Sequence, residues 1–424
     1  MNSLIVVALA LLAFLGLPLF AVLGAGGLIA SHGAGIAPSN LIVELYRLAS
    51  QPNLSSIPLF TFAGMVLAEG GGPQRLVKLF DALFGWMPGG LAIVTIISCA
   101  FFTAFTGASG VTIIALGGLL YPMLKQSNYG ENFTLGLLTS GGSLGLLFPP
   151  SLAILIYAIV SGVGVDQLFY AGMVPGAILL VMLSLYSYFT AKHWHVTRSV
   201  FSLARMFDAI RTSIWDILLP VLVVTGIFGG FVTVTEAAAL TAAYALVLEI
   251  ILFKKTEMIA NMAGIFIDTA KLVGSIMIIL GVAMGLTNLL IDSQAPTKLL
   301  HLIESHIQSP LQFLLLLNVF LLVVGAMMDI FSAIIVVVPL IAPVAALYQI
   351  DPVHLGIIFL ANLEIGYLHP PIGLNLFIAS QRFNKPILTL FWATLPFLLI
   401  MLVWLMMLTY IPSLSLWWQH RVPG

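Results

Sequence analysis

A proline pair that occurs twice on one register constrains this 424-residue chain more than any other feature. Gly145 to Ser151 reads G-L-L-F-P-P-S, and Gly366 to Asn375 reads G-Y-L-H-P-P-I-G-L-N. The second prolines lie 371 − 150 = 221 residues apart. The same offset joins Gly64 to Gly285, Pro122 to Pro343, Ala158 to Ala379 and Pro175 to Pro396. Ungapped agreement of prolines and glycines marks an internal duplication. Each pair removes backbone donors and pushes the preceding residue out of helical geometry, so a helix that enters it must break. The carbonyls freed by such a break need a partner when no water is near, and a cation in a protein-lined cavity is one. Broken helices at corresponding places in two halves point to the binding site of a transporter.

Composition sets the surroundings of these breaks. The chain is 61% hydrophobic and 7% charged, against roughly 25% charged residues in a soluble domain. It reads as an all-α polytopic membrane protein. The apolar runs are continuous rather than alternating, which excludes a β-barrel. A net charge of −1 suggests no nucleic-acid partner, and the lone Cys99 excludes an internal disulfide. The sequence has no H-E-x-x-H and no phosphate-binding glycine loop, so an enzyme is not expected.

Taken in order, the chain predicts about ten spans, two re-entrant hairpins and two Pro-Pro-broken helices. Leu4 to Leu23 is a first span, retained rather than cleaved because no basic residue precedes it. Leu28 to Leu48 is a poorer span. Ile57 to Glu69 is a helix, and an amphipathic piece from Arg75 to Trp86 is expected to lie at the membrane interface. The blocks Gly89–Leu124 and Leu311–Leu347 read as hairpins of half-length helices, with tips at Thr103–Gly110 and Gly325–Asp329. Broken helices follow at Asn132–Val160 and His354–Ser380, then unbroken spans at Phe169–Ala191 and Pro386–Ile411. Between the halves, Ile214–Phe231 and Ala237–Phe253 meet at a turn where Glu236 is a helix N-terminal residue. Ile259–Ile291 is a long helix or bent pair, and Ser293–Ser309 an external loop. The basic loops at Lys192–Arg211 and Lys254–Lys255 are cytoplasmic by the positive-inside rule. The halves then have opposite topology, and the two hairpin tips answer to opposite faces. The units expected are 1–88 (scaffold and arm helices), 89–161 (hairpin one and broken helix one) and 162–191 (a connecting span). Then come 192–310 (linker and second scaffold), 311–380 (hairpin two and broken helix two) and 381–424 (final span and tail).

Few ionisable residues sit deep in apolar sequence, and charge there is a functional candidate because it is costly. Asp329 and Glu364 either attract a cation, carry a proton or are hydrogen-bonded structural residues. His369 offers a side chain or a carbonyl, whereas its counterpart Phe148 offers its carbonyl alone. Hard cations prefer oxygen. The first-half candidates are the Thr103 hydroxyl and the carbonyls of Gly145, Phe148 and Pro150. The second-half candidates are the carbonyls of Gly325, Gly366, His369 and Ile372. Ser109, Ser143, Asn362 and Asn375 are polar groups near the breaks, suited with Asp329 and Glu364 to a small polar substrate.

At these residues the chain resembles a known family. Ser140–Ser151, S-G-G-S-L-G-L-L-F-P-P-S, resembles the G-x-L-G-x-x-x-P-P-S signature of the large membrane subunit of tripartite ATP-independent periplasmic (TRAP) transporters. Asn362–Phe377 resembles that family's second signature, and F-T-G-A-S-G-V-T its first hairpin tip. The resemblance implies an inverted-repeat, elevator-type fold of the ion-transporter superfamily. It implies two Na⁺ sites, one at Thr103, Gly145, Phe148 and Pro150, the other at Gly325, Gly366, His369 and Ile372. It also implies a small four-helix membrane subunit, a soluble periplasmic substrate-binding protein, an organic acid cargo and a bacterial inner membrane. His369 stands where many relatives carry threonine. The alternatives at this level are a stand-alone symporter or antiporter of the same superfamily, with proton coupling among the options, and a channel.

Overall fold

The structure is a computed structural model describing residues 9, 11–12, 17–35, 37, 39–194, 196–197, 200–292, 307 and 309–419. Half of the expected first span and most of the loop Ser293–Ser309 lie outside the described residues. The chain is helical in the order α1 (Leu19–Ala34), α2 (Ser39–Ala49), α3 (Ser56–Glu69), α4 (Gly72–Phe84), α5 (Gly90–Thr106) and α6 (Ser109–Gln126). Next come α7 (Glu131–Gly141), α8 (Leu152–Ser161), α9 (Val165–Trp194), α10 (Leu203–Phe228) and α11 (Val234–Leu246), which runs into a π segment at Val247–Leu252. The rest are α12 (Thr256–Asp292), α13 (Pro310–Met327), α14 (Ile330–Leu347), α15 (Pro352–Gly366), α16 (Leu374–Phe383) and α17 (Ile387–Tyr410). Among the described residues, seven helices are long and apolar enough to cross a membrane. The chain is a multi-pass membrane protein, with large apolar side chains such as Leu311, Phe189 and Trp392 on its outer surface.

The 221-residue offset recurs in the helix boundaries. Adding it to α6, Ser109–Gln126, gives Ile330–Leu347, the bounds of α14. The pairs α5/α13, α7/α15, α8/α16 and α9/α17 each begin within one residue of the same offset. Both Pro149–Pro150 and Pro370–Pro371 are cis, and both lie in stretches that interrupt the helix, between α7 and α8 and between α15 and α16. Packing crosses between the repeats: α14 lies against α8 and α6 against α16, so each hairpin is covered by the other repeat's half-helix. Leu116, Leu120, Ile334 and Leu363 fill the core that results. A second group, α1, α2 and α3, packs along the long helix α12.

Local chemistry explains several of these boundaries. Asp351 caps α15 by accepting from the Val353 and His354 amides, with Pro352 in the first turn, where a missing amide costs nothing. Glu236 completes a capping box with Thr233, as expected for a helix start.

Three expectations change. Gly24, Gly26 and Gly27 lie inside α1, which straddles the boundary expected between the first two spans, and the chain breaks at Gly35 instead. The hairpin arms are 17 and 18 residues long, about 26 Å each, longer than half-length arms. The third concerns α4, which is packed on protein along most of its surface rather than standing alone. It turns 72° from the preceding helix, packs on α5 and α10, and buries Arg75. Arg75 Nε meets Asp216 Oδ2 at 2.7 Å, its Nη2 meets Glu249 Oε1, and the guanidinium stacks 3.8 Å from the Phe253 ring centroid. The helix therefore keeps an exposed polar stripe at Gln74 and Lys78, while its buried side includes an ion network.

Candidate functional site

Both breaks need a backbone approach that a side chain would block. A Cβ on Gly145 would lie 2.1 Å from the Ala100 carbonyl oxygen and 2.7 Å from Thr103 Cβ. A Cβ on Gly366 would lie 2.6 Å from Gly325 Cα. Each glycine thus seats its break directly on the first arm of its own hairpin.

At the first break, the Thr103 hydroxyl is 2.7 Å from that of Thr112 and donates to the Gly142 carbonyl at 2.8 Å. The Gly145 carbonyl accepts from the Phe148 amide at 3.0 Å. The Phe148 ring packs toward Gly176 on α9, and Pro150 is buried. The structure therefore brings Thr103 and Gly145 together, while the Phe148 side chain points elsewhere. Ser143 is buried and donates to the Glu364 carbonyl at 3.5 Å.

At the second break, the Ala326 carbonyl accepts from the amides of both Ile372 and Gly373, at 3.1 Å each. This straps the break to the end of α13 beside Gly325 and Gly366. The Ile372 side chain itself is exposed. His369 is half-buried, and its Nδ1 lies 2.9 Å from the Pro370 carbonyl oxygen, a contact local to its own turn. Asp329, expected deep in apolar surroundings, is instead the exposed N-cap of α14. It accepts from the Phe331 and Ser332 amides at 3.1 and 3.0 Å and from the Ser332 hydroxyl. Asn362 sits in a buried polar string. Its Nδ2 donates to Asn318 Oδ1 at 2.8 Å, and Asn318 donates onward to the Thr409 hydroxyl at 2.9 Å. Asn375 donates to the Thr139 carbonyl at 3.3 Å.

The two hairpin tips share one cleft of about 620 Å³. Gly107–Val111 line it from tip one, Asp329–Phe331 from tip two, Tyr367 from the second break, and Asp268 and Ser275 from α12. The tips thus open onto a common space. Among the described residues, no Lys, Arg or His lines it. The walls differ in one respect. The α14 N-terminus is capped by Asp329, whereas α6 begins after Ala108 with no side-chain cap. Ser109, 4% exposed, is the first residue of α6. Uncapped amides at a helix N-terminus favour an anion.

Sequence reading missed Tyr367, whose hydroxyl accepts from the Ile330 amide. It also missed Thr112 and Asp268, and the network of Arg75 with Asp216 and Glu249. Asp216 and Glu249 stand in predominantly apolar stretches, which is the signal that was available for them.

An all-helical membrane protein with paired helix breaks and hairpin tips converging on one cleft is built as a transporter. The fold matches the Alcanivorax borkumensis YdaH transporter with a TM-score of 0.62 at 16% identity, over 90% of this chain and 88% of that one. Residues 6–414 match the family model for the tripartite ATP-independent periplasmic transporter, DctM component, and the chain belongs to that family. Curated relatives include the C4-dicarboxylate TRAP transporter large permease protein DctM of Pseudomonas aeruginosa, 34% identical over 89% of this chain and 88% of that protein. The ectoine/5-hydroxyectoine large permease UehC of Ruegeria pomeroyi is 30% identical over 98% of both. The isethionate permease DctMQ of Oleidesulfovibrio alaskensis is 30% identical over 96% of this chain and 64% of its own length.

Proposed function

We propose that this chain imports a small organic acid anion, a carboxylate or sulfonate, across a bacterial inner membrane, coupled to two Na⁺ ions. The observation that carries this reading is the shared cleft between the tips, in a chain of the DctM family. Among the described residues the cleft lining has no cationic side chain, so an anion's charge must be offset otherwise. The uncapped start of α6 supplies part of that offset. Bound Na⁺ supplies the rest, held by Thr103 and the carbonyls of Gly145, Phe148 and Pro150, and by the carbonyls of Gly325, Gly366, His369 and Ile372. The Thr103 hydroxyl and the Gly145 carbonyl, already close together, support the first set.

The hairpins and broken helices, 89–161 and 311–380, move as a transport body against a scaffold that includes α12 and α1–α3, in an elevator cycle. Their crossed packing supports motion as one unit. A small four-helix membrane subunit and a periplasmic binding protein complete the system. The DctMQ relative, longer than this chain and named for two subunits, supports the first partner. Substrate binding and Na⁺ binding then reinforce each other.

The test is uptake of C4-dicarboxylate, isethionate and ectoine into proteoliposomes, with and without Na⁺ and with and without the binding protein. Uptake that requires Na⁺ and the binding protein is expected. Uptake that ignores Na⁺ and follows a pH gradient would overturn Na⁺ coupling.

A further inference from the structure

Two carboxylates line the cleft between the hairpin tips, Asp329 at tip two and Asp268 on α12. Asp329 is fixed in place as the N-cap of α14. Asp268 meets Lys271 at 3.4 Å, with the two side chains 58% and 73% exposed. An exposed pair of this kind is weak, and Lys271 itself does not line the cleft. Asp268 is therefore open to a ligand with a stronger claim on it.

Other groups in the same lining favour the opposite sign. Ser109 is 4% exposed, and its hydroxyl has no hydrogen-bond partner among the described residues. Tyr367 is 2% exposed, and its hydroxyl accepts from the Ile330 amide at 2.5 Å. That bond uses the oxygen and leaves the Tyr367 O–H free to donate. The first amides of α6 stand beside Ser109 without a side-chain cap. Two buried hydroxyls and an 18-residue helix start thus offer hydrogen bonds to one carboxylate.

A second carboxylate on the same cargo would meet Asp268 and Asp329 and be repelled. A cationic nitrogen in its place would be attracted. The charge count agrees. Two Na⁺ ions and two lining carboxylates sum to 2 − 2 = 0. A cargo without net charge leaves the loaded site neutral, whereas a dianion leaves two negative charges to be carried through an apolar surrounding, which is costly. We propose that the organic acid carried by this chain is a zwitterion, with an ammonium or amidinium group beside its carboxylate. Ser109, Tyr367 and the α6 amides hold the carboxylate, and Asp329 and Asp268 hold the cation. This rests on the reading of the cleft as a Na⁺-coupled cargo site. Asp329 belongs to the moving body and stays with the cargo, while Asp268 belongs to the scaffold and contributes in the state described.

The experiment reads thermal unfolding of the full-length chain in lipid nanodiscs, in NaCl and in KCl, against rising concentrations of three acids. These are γ-aminobutyrate, its trimethylammonium analogue, and succinate, which replaces the cationic end with a second carboxylate. In NaCl, half-maximal stabilisation is expected at a concentration at least about tenfold lower for the better zwitterion than for succinate, since like charges brought together are strongly disfavoured. Asp268→Asn and Asp329→Asn should each narrow that gap, and the double variant should bring it within about twofold, because neither asparagine repels a carboxylate. Asparagine also caps helices, so Asp329→Asn keeps α14 while losing the charge. Succinate binding as well as the zwitterions in NaCl overturns the proposal and leaves the Na⁺-coupled site standing. So does an unchanged gap in the double variant. Stabilisation that is the same in KCl as in NaCl, or absent for all three acids, overturns the underlying reading and the proposal with it.

Discussion

Ser143 and Glu364 hold the same place in the two repeats, 221 residues apart, and they touch through the Ser143 hydroxyl and the Glu364 carbonyl. Equivalent residues of two repeats meet only at the axis that relates them. The contact is long, 3.5 Å, so the hydrogen bond itself is weak. Ser143→Ala should lower stability by about 0.5 kcal/mol, the low end for a hydrogen bond. Ser143→Leu must force the repeats apart, and overpacking of this kind costs about 1–3 kcal/mol. Thermal unfolding of both variants distinguishes a packing role from a bonding role.

The glycine contacts predict a sharper contrast. Gly145→Ala and Gly366→Ala each place a methyl against backbone that cannot rotate away, and both should lower the melting temperature by several degrees. Gly274→Ala, in α12 with nothing within 4 Å of its Cβ position, should stabilise by roughly 0.5–1 kcal/mol. If all three behave alike, the breaks are not seated as described.

Thr103→Val keeps the shape of the side chain and removes its bonds to Thr112 and the Gly142 carbonyl. Leaving that buried pair unmatched should cost about 1–3 kcal/mol. Under the proposed coupling, the Na⁺ concentration for half-maximal uptake rises in this variant. His369→Ala should change it little if the carbonyl alone ligates. A Thr103→Val protein with unaltered Na⁺ response removes this hydroxyl from the first ion site.

Arg75→Met strands two buried carboxylates, Asp216 and Glu249. Breaking a buried pair in this way costs about 3–5 kcal/mol, whereas replacing every member with apolar residues is close to neutral. Arg75→Met should therefore fail to accumulate in membranes. The triple variant with Asp216→Leu and Glu249→Leu should recover, as read by fluorescence size-exclusion chromatography.

Glu131 at the start of α7 pairs with Lys385 beyond α16, at 2.6 Å, and with Lys125 at 3.9 Å. Its hydrogen bond to Lys385 and the charge of that ammonium hold its carboxyl below the usual carboxylate range. A lowered carboxyl contributes stability above its unfolded-state value and loses it as pH falls through the folded one. Melting temperature should thus decline on acidification, and less so in Lys385→Met. Both groups are solvent-exposed, so the difference should shrink in high salt.

The duplication and both breaks were legible because proline and glycine impose backbone geometry wherever they stand. Pro149–Pro150 and Pro370–Pro371 fall in interrupted helix just as their chemistry requires. The convergence of the tips on one cleft was not legible, because it depends on how the repeats cross and not on either repeat's own pattern. Arg75 misled for a related reason. A charged residue on an amphipathic helix looks the same whether it faces water or two carboxylates 141 and 174 residues away. Asp329 looked buried by sequence neighbourhood, although a short acid before an apolar run is also a helix cap.

The crossed packing of α6 on α16 and α14 on α8 bears on how such a chain could arise. Each hairpin is covered in part by its own half, but one face of its second arm is covered by the other half. A half standing alone would need a second copy of the same polypeptide to cover that face. Two such copies joined end to end would keep these interfaces and change only the connectivity.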